Sequence, residues 1–361
     1  MAEFYLIFLL VSFLLFVGVK VFSIWIITPS FETVEINKVS ILIPFRNEQE
    51  NLPQLLQSLA EQASLPQDIL FVNDHSDDES ERIVQSFIEE FKIGQLLTLP
   101  NNISGKKAAL NYGIQLSKTP YVLTLDADVS LNKHYMKTLQ NQAAYGLTAF
   151  PVIMKGNTFL ERLFSSEYTF FNAFNYLISS IWPISISGAN LLFNSSVIDY
   201  ENQLKNHQHL ASGDDYFLLK TFRSHNVPIY ISNTYELSVE TNAPYSFKSY
   251  FDQRVRWLSK SKFQVDGMDV LIGIFISIYF IGGFVALILS ACLADWTLLT
   301  SIFIIRFLID SLVYLNYAQG LRATQNVLIL PFFQLFYPLL FITVAILSLF
   351  YKPKWKGRKI D

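Results

Sequence analysis

Long apolar runs occupy the two ends of the chain, and shorter apolar runs set between polar stretches fill its middle. Residues 4–27 (FYLIFLLVSFLLFVGVKVFSIWII) are apolar apart from Lys20. That is long enough to cross a bilayer. A cleaved leader fits this run poorly, because no basic segment precedes it and its apolar part is too long. Residues 269–291, 296–317 and 328–350 form three further runs of the same kind. The middle one carries Arg306 and Asp310, four residues apart on one helix face. Charge inside a membrane is expensive unless it is paired or faces protein, so an internal ion pair is expected there.

Between the ends, strand-like apolar runs recur at residues 40–44, 69–72, 95–99 and 121–125, with helix-like stretches near 48–62, 78–91 and 104–117. Strands alternating with helices predict an α/β domain with a mostly parallel sheet and right-handed crossovers. The expected division is an anchor over 1–30, a soluble domain over 37–262, a membrane region of two or three helices over 268–351, and a basic tail over 352–361. The aromatic stretch 159–182 reads either as core or as a helix lying at a membrane surface.

Composition supports membrane segments, since 51% of the residues are hydrophobic and only 16% charged. A net charge of -3 leaves no footprint for a nucleic-acid partner. The single cysteine, Cys292, excludes an intramolecular disulfide, and a cytoplasmic soluble domain is expected. Topology then holds a conflict. Four spans with a cytoplasmic middle put the C-terminus outside, yet Lys352, Lys354, Lys356, Arg358 and Lys359 favour the inside. The charged middle run, 296–317, is the span in question.

Polar residues follow three of the four strands, where ligands bind on parallel sheets. Asp126-Ala127-Asp128 offers two carboxylates that suit a hard divalent cation shared with phosphate oxygens. The same triplet also reads as a turn or as a cap for a helix over 131–144. Asp74, in Asn73-Asp74-His75, either accepts hydrogen bonds from a base or ribose or caps the next helix. His75 reads as an exposed loop residue. Lys106, at the helix start Gly105-Lys106-Lys107, is suited to phosphate or is simply solvated. Asp215, in Gly213-Asp214-Asp215, is a candidate base or an ordinary helix-start acid. Gln253, Arg256 and Trp257 share one helix face. They offer an amide, a guanidinium and an aromatic plate, or else form an interfacial belt.

In this order, Pro44-Phe45-Arg46-Asn47-Glu48, Val72-Asn73-Asp74, Gly105-Lys106 with Asn111, Asp126-Ala127-Asp128, Asp214-Asp215 and Gln253-x-x-Arg256-Trp257 resemble the membrane-bound family 2 inverting glycosyltransferases. Cellulose, hyaluronan and poly-N-acetylglucosamine synthases and ceramide glucosyltransferases belong to that group. The resemblance covers about residues 38–262, plus the flanking membrane segments. It implies a GT-A fold flanked by transmembrane helices, a nucleotide-sugar donor with UDP as the usual nucleotide, and Mg²⁺ or Mn²⁺. It also implies that Pro44, Glu48, Asp74, Lys106 and Asp126 bind the donor and that Asp128 holds the metal. Asp215 becomes the general base, with Gln253, Arg256 and Trp257 at the pyrophosphate and acceptor. The family often has Glu-Asp where this chain has Asp214-Asp215. Residues 187–194 (SGANLLFN) lack the arginine pair of many polymer synthases. A lipid or glycan acceptor taking one or a few sugars is therefore expected, at a membrane and among its lipids, with processive polysaccharide synthesis as the alternative. A transporter or other non-catalytic membrane protein is disfavoured, because the ordered acids cluster outside the spans.

Overall fold

The computed structural model describes residues 2–25, 32–197, 214–260, 266–351, 354–355 and 358–359. Gly213 and the side chains of Asp214 and of the basic tail lie outside the described residues. Along the chain run α1 (Ala2–Trp25), β1 (Val39–Phe45), α2 (Leu52–Ala60), β2 (Asp68–Asn73), α3 (Ser80–Phe91), β3 (Gln95–Thr98), α4 (Lys106–Leu116) and β4 (Tyr121–Leu125). Then come β5 (Ser130–Leu131), α5 (Tyr135–Leu139), β6 (Leu147–Ala149), β7 (Val152–Lys155), α6 (Phe159–Ile178), β8 (Asn190–Asn194), α7 (Asp214–Ser224), β9 (Ile229–Ile231) and β10 (Val239–Asn242). The last elements are α8 (Phe247–Lys260), α9 (Gly267–Cys292), α10 (Trp296–Ala318) and α11 (Leu330–Phe350).

Contacts divide the chain into two compact units. One holds Pro29–Lys155 and Ser185–Asn242, and the other holds Met1–Thr28, Gly156–Ile184 and Ala243–Tyr351. The range 37–262, read from sequence as one domain, thus contributes to both.

In the first unit a seven-stranded sheet runs β3-β2-β1-β4-β8-β6-β9. β1 pairs in parallel with β2 and β4, and β2 with β3. This half is the alternating strand and helix pattern predicted above. Every residue of β1 and β2 is buried, as expected for central strands covered on both faces. β8 enters antiparallel to β4 and β6. Asn190 at its start fixes that junction: its Nδ2 donates to the carbonyls of Pro151 and Leu237, each at 2.9 Å, and its Oδ1 accepts from the Tyr135 hydroxyl at 2.6 Å. The helix expected over 131–144 is only α5. Ser130 and Leu131 instead pair with Glu240 and Val239 of β10, which removes them from any helix.

Among the described residues four helices are long and apolar enough to cross a membrane: Glu3–Phe22, Gly267–Cys292, Trp296–Ala318 and Asn326–Phe350. The chain is a multi-pass membrane protein. The charged run in question is therefore one continuous 23-residue helix, α10. α6 belongs to this second unit and buries half of its 20 residues, while Phe159 at its start is exposed. It opens on a reciprocal cap between Thr158 and Glu161. Its Phe170 ring lies 5.1 Å from Phe333 of α11, and its Phe171 ring lies 5.1 Å from Tyr337.

The ion pair expected between Arg306 and Asp310 does not form as a hydrogen-bonded pair. Among the described residues, no guanidinium nitrogen of Arg306 has a hydrogen-bond partner. The group lies instead over the rings of Tyr279 and Phe280, at 5.1 and 5.2 Å, a cation–π arrangement. Asp310 accepts from the Tyr279 hydroxyl at 2.7 Å and from Gln334 Nε2 at 3.1 Å. Gly283 makes room for this cluster. A Cβ there would stand 2.4 Å from the Tyr5 hydroxyl, itself bonded to the Tyr279 carbonyl at 2.6 Å, and 2.6 Å from Arg306 Nη1. Gly283→Ala is therefore expected to cost about 1–3 kcal/mol through overpacking. A lower melting temperature in detergent is the readout, and wild-type melting would show that the cluster absorbs the methyl.

Candidate active site

The carboxyl ends of β1, β2 and β4 carry Pro44, Glu48, Asp74, Asp126 and Asp128, half of the residues singled out in the sequence. The loop after β1 and the loop after β2 brace one another. Asp74 N donates to the Phe45 carbonyl at 2.9 Å, and Arg46 Nη1 donates to the Asp74 carbonyl at 2.7 Å. Asn47 takes a left-handed backbone (φ 50) that asparagine tolerates better than most residues. Its side chain exchanges two hydrogen bonds with Asp77, at 2.6 and 3.0 Å. Glu48 N donates to Ser80 Oγ at 2.7 Å, and Glu48 Oε2 accepts from Asn51 Nδ2 at 2.7 Å. Pro44, Glu48 and Asp74 are all buried by this bracing. His75 is a loop residue, half-buried, with Nε2 3.0 Å from the Ile103 carbonyl.

At the end of β4 the two aspartates differ. Lys106 Nζ donates to Asp126 Oδ1 at 2.5 Å, and both side chains are half-buried. Asp128 is exposed as a residue, yet its carboxyl is hemmed in. Lost hydration, then the carboxylates of Asp126 and Glu48, push its pKa up to about 6, against the pull of Lys106. The nearby like charges of Asp126 and Glu48 add to the lost hydration. Lys106 is bound to Asp126, so Asp128 is the acid whose charge is least compensated by it.

A divalent cation would relieve that crowding. Among the described residues, no three His, Cys, Asp or Glu side chains are grouped so as to hold a metal by themselves. One or two carboxylates, with water and donor phosphates completing the shell, is how Mg²⁺ is usually held. The acids at the end of β4 therefore fit a hard cation that arrives with its substrate.

Gly105 caps α4 with φ 104 and ψ 156, inside the region reserved for glycine. Among the described residues, no atom beyond its chain neighbours lies within 4 Å of a Cβ built there, so the constraint is the backbone. Gly105→Ala is expected to cost about 1–3 kcal/mol and to draw Lys106 away from Asp126. A raised donor KM beside a modest drop in melting temperature checks this; an unchanged KM would separate the turn from donor binding.

Asp215 sits in the first turn of α7, where its Oδ1 accepts from Tyr216 N at 2.8 Å. Lys107 Nζ lies 4.8 Å from the centroid of the Phe217 ring, which ties that turn to the start of α4. Asp215 is thus joined, through Phe217 and Lys107, to the helix that carries Lys106. Lys107 was not singled out in the sequence; its signal was only its place beside Lys106.

Gln253, Arg256 and Trp257 belong to the other unit. All three are half-buried on α8. Gln253 Oε1 accepts from Arg254 Nη1 at 2.6 Å. Trp257 has the Arg254 guanidinium 4.5 Å from its ring and the Tyr168 ring at 5.7 Å. Arg254 is ion-paired with Glu167 of α6. Sequence reasoning missed both members of this pair. The available signal was an acid in the middle of an aromatic helix and a second arginine inside the motif.

Residues 40–190 match the family described as Glycosyl transferase family 2. A probable glycosyltransferase, YdaM of Bacillus subtilis (strain 168), is 29% identical over 244 residues, 64% of this chain and 57% of that protein. An undecaprenyl-phosphate 4-deoxy-4-formamido-L-arabinose transferase of Pseudomonas fluorescens (strain SBW25) is 33% identical over 114 residues, 31% of this chain and 33% of that protein. This chain thus spans about half or less of the length of these relatives. The mannosyltransferase PcManGT from Pyrobaculum calidifontis, solved with GDP-Man and Mn2+, shares the fold with a TM-score of 0.54 at 15% identity, over 97% of this chain and 99% of that one. The match to glycosyl transferase family 2 covers β1, β2 and β4 with the acids at their ends, and the chain has an α/β fold of the GT-A kind.

Proposed function

We propose that the chain transfers a sugar, with inversion, from a nucleotide-diphosphate donor, a UDP-sugar by family habit, to a lipid-borne acceptor at the membrane. The observation that carries this reading is the pairing of Lys106 with Asp126 beside the crowded Asp128 at the end of β4. Four spans in the same chain support a lipid-borne acceptor, as does the likeness to an undecaprenyl-phosphate sugar transferase. A cytoplasmic α/β domain agrees with a chain whose only cysteine is Cys292.

In this reading Pro44, Glu48 and Asp74 line the nucleoside side of the donor. Asp126 and Lys106 face the nucleotide, and Asp128 holds Mg²⁺ or Mn²⁺. When bound, the cation supplies Lewis-acid stabilisation of the diphosphate that leaves. Asp215 accepts the proton of the attacking acceptor hydroxyl. The acceptor oxygen bonds to the anomeric carbon as the bond from that carbon to the phosphate oxygen breaks. The nucleoside diphosphate departs with the electron pair, and the configuration inverts. Gln253, Arg256 and Trp257 serve the pyrophosphate and acceptor.

A panel of nucleotide-sugars, scored with the purified full-length chain for release of nucleoside diphosphate, tests this reading. Release from at least one donor with Mg²⁺ or Mn²⁺, stopped by a chelator, is expected. Release that is indifferent to chelation would remove the metal from the account.

A further inference from the structure

Glu167 and Arg254 stand 87 residues apart in sequence and are 4% and 7% exposed, and the transfer reaction above gives neither a task. Arg254 Nε lies 3.2 and 3.0 Å from the two carboxylate oxygens of Glu167, and its Nη2 donates to Oε2 as well. The Tyr250 hydroxyl adds a bond to Oε1 at 3.3 Å. Such a pair is a poor means of stabilising a fold, since well-packed apolar residues of similar volume often do as well or better. Its second set of contacts is what distinguishes it. Arg254 Nη1 donates to Gln253 Oε1 at 2.6 Å, and the guanidinium lies 4.5 Å from the Trp257 ring and 4.8 Å from the Tyr250 ring. An amide whose oxygen is engaged in this way offers its NH₂ group to anything else that binds.

We propose that the Glu167–Arg254 pair is a positioning element: it sets Gln253 as a hydrogen-bond donor toward phosphate or sugar oxygens and holds the Trp257 ring in a fixed plane. The inference rests on the transfer reaction proposed above. The pair couples α6 to the Gln-x-x-Arg-Trp segment of α8: Arg254 touches Gln253 and Trp257, and Glu167 acts through Arg254. A lysine at position 254 lacks the planar fork that makes these contacts together.

The test uses the purified full-length chain in detergent, with melting temperature, kcat and donor KM as readouts. In the double variant Glu167→Met/Arg254→Met, melting is expected at or above the wild-type temperature. Its kcat is expected to fall roughly ten- to a hundredfold, as for a reacting group held slightly out of place, with donor KM within about twofold. Gln253→Ala should lower kcat in the wild type and add little in the pair variant, because one acts through the other. A folded pair variant with wild-type kcat overturns the proposal, and so do fully additive effects of Gln253→Ala. If the double variant does not fold, Glu167→Gln, close in shape, is measured in its place, and wild-type kcat there overturns the proposal equally. A wild-type chain that transfers no sugar overturns the transfer reading itself, and this inference with it, before any variant is made.

Discussion

Asp215→Asn is expected to lower kcat by roughly 10²–10⁴-fold, the range for loss of a general base, while nucleotide binding stays close to wild type. Asparagine keeps the size of the side chain and an oxygen that can accept from Tyr216 N, as Asp215 does at 2.8 Å. What it cannot do is take a proton. Steady-state release of nucleoside diphosphate, set beside direct nucleotide binding, separates the two effects. The variant also reports on the acceptor. A hydroxyl must lose a proton as it attacks, whereas a phosphate, with a second pKa of about 6, is already largely ionised at neutral pH. Full activity in Asp215→Asn would withdraw the base assignment and point to an ionised acceptor oxygen such as a lipid phosphate.

Asp128→Ala is expected to reduce activity by about 10³-fold, since metal stabilisation of a leaving group supplies several kcal/mol. Asp126→Ala should be milder in its metal response. Lys106 already engages Asp126 at 2.5 Å, whereas Asp128 is raised to about 6 by lost hydration and by the carboxylates around it. Titrating Mn²⁺ against product release in each variant checks this ordering. A normal Mn²⁺ response in Asp128→Ala, with the response lost in Asp126→Ala, would reverse the two roles.

The parallel half of the sheet was legible in the sequence because β1 to β4 are apolar runs separated by amphipathic stretches. β6 and β9 were not, because three residues each carry no period that can be told from a loop. β8 is visible as the apolar run NLLFN, but its antiparallel direction depends on partners such as Tyr135, 55 residues away. The acids at the strand ends were legible by position, since that is where parallel sheets bind ligands. Their division of labour came only from the resemblance, and the Lys106–Asp126 bond that bears on it joins residues 20 apart. The same limit hid Glu167 and Arg254. It also hid the separate surroundings of Arg306 and Asp310: a helical spacing shows which residues share a face, and the rings of Tyr279 and Phe280 on a neighbouring helix decided what Arg306 met there.

The central claim is sugar transfer to a lipid from the cluster at the end of β4. Mass analysis of lipids after the purified full-length chain is incubated with a nucleotide-sugar, a membrane lipid extract and Mn²⁺ tests it most directly. The expected result is a lipid heavier by one glycosyl unit, formed only with metal and absent in Asp128→Ala. No glycosylated lipid from any donor, with folded protein and metal present, would contradict it.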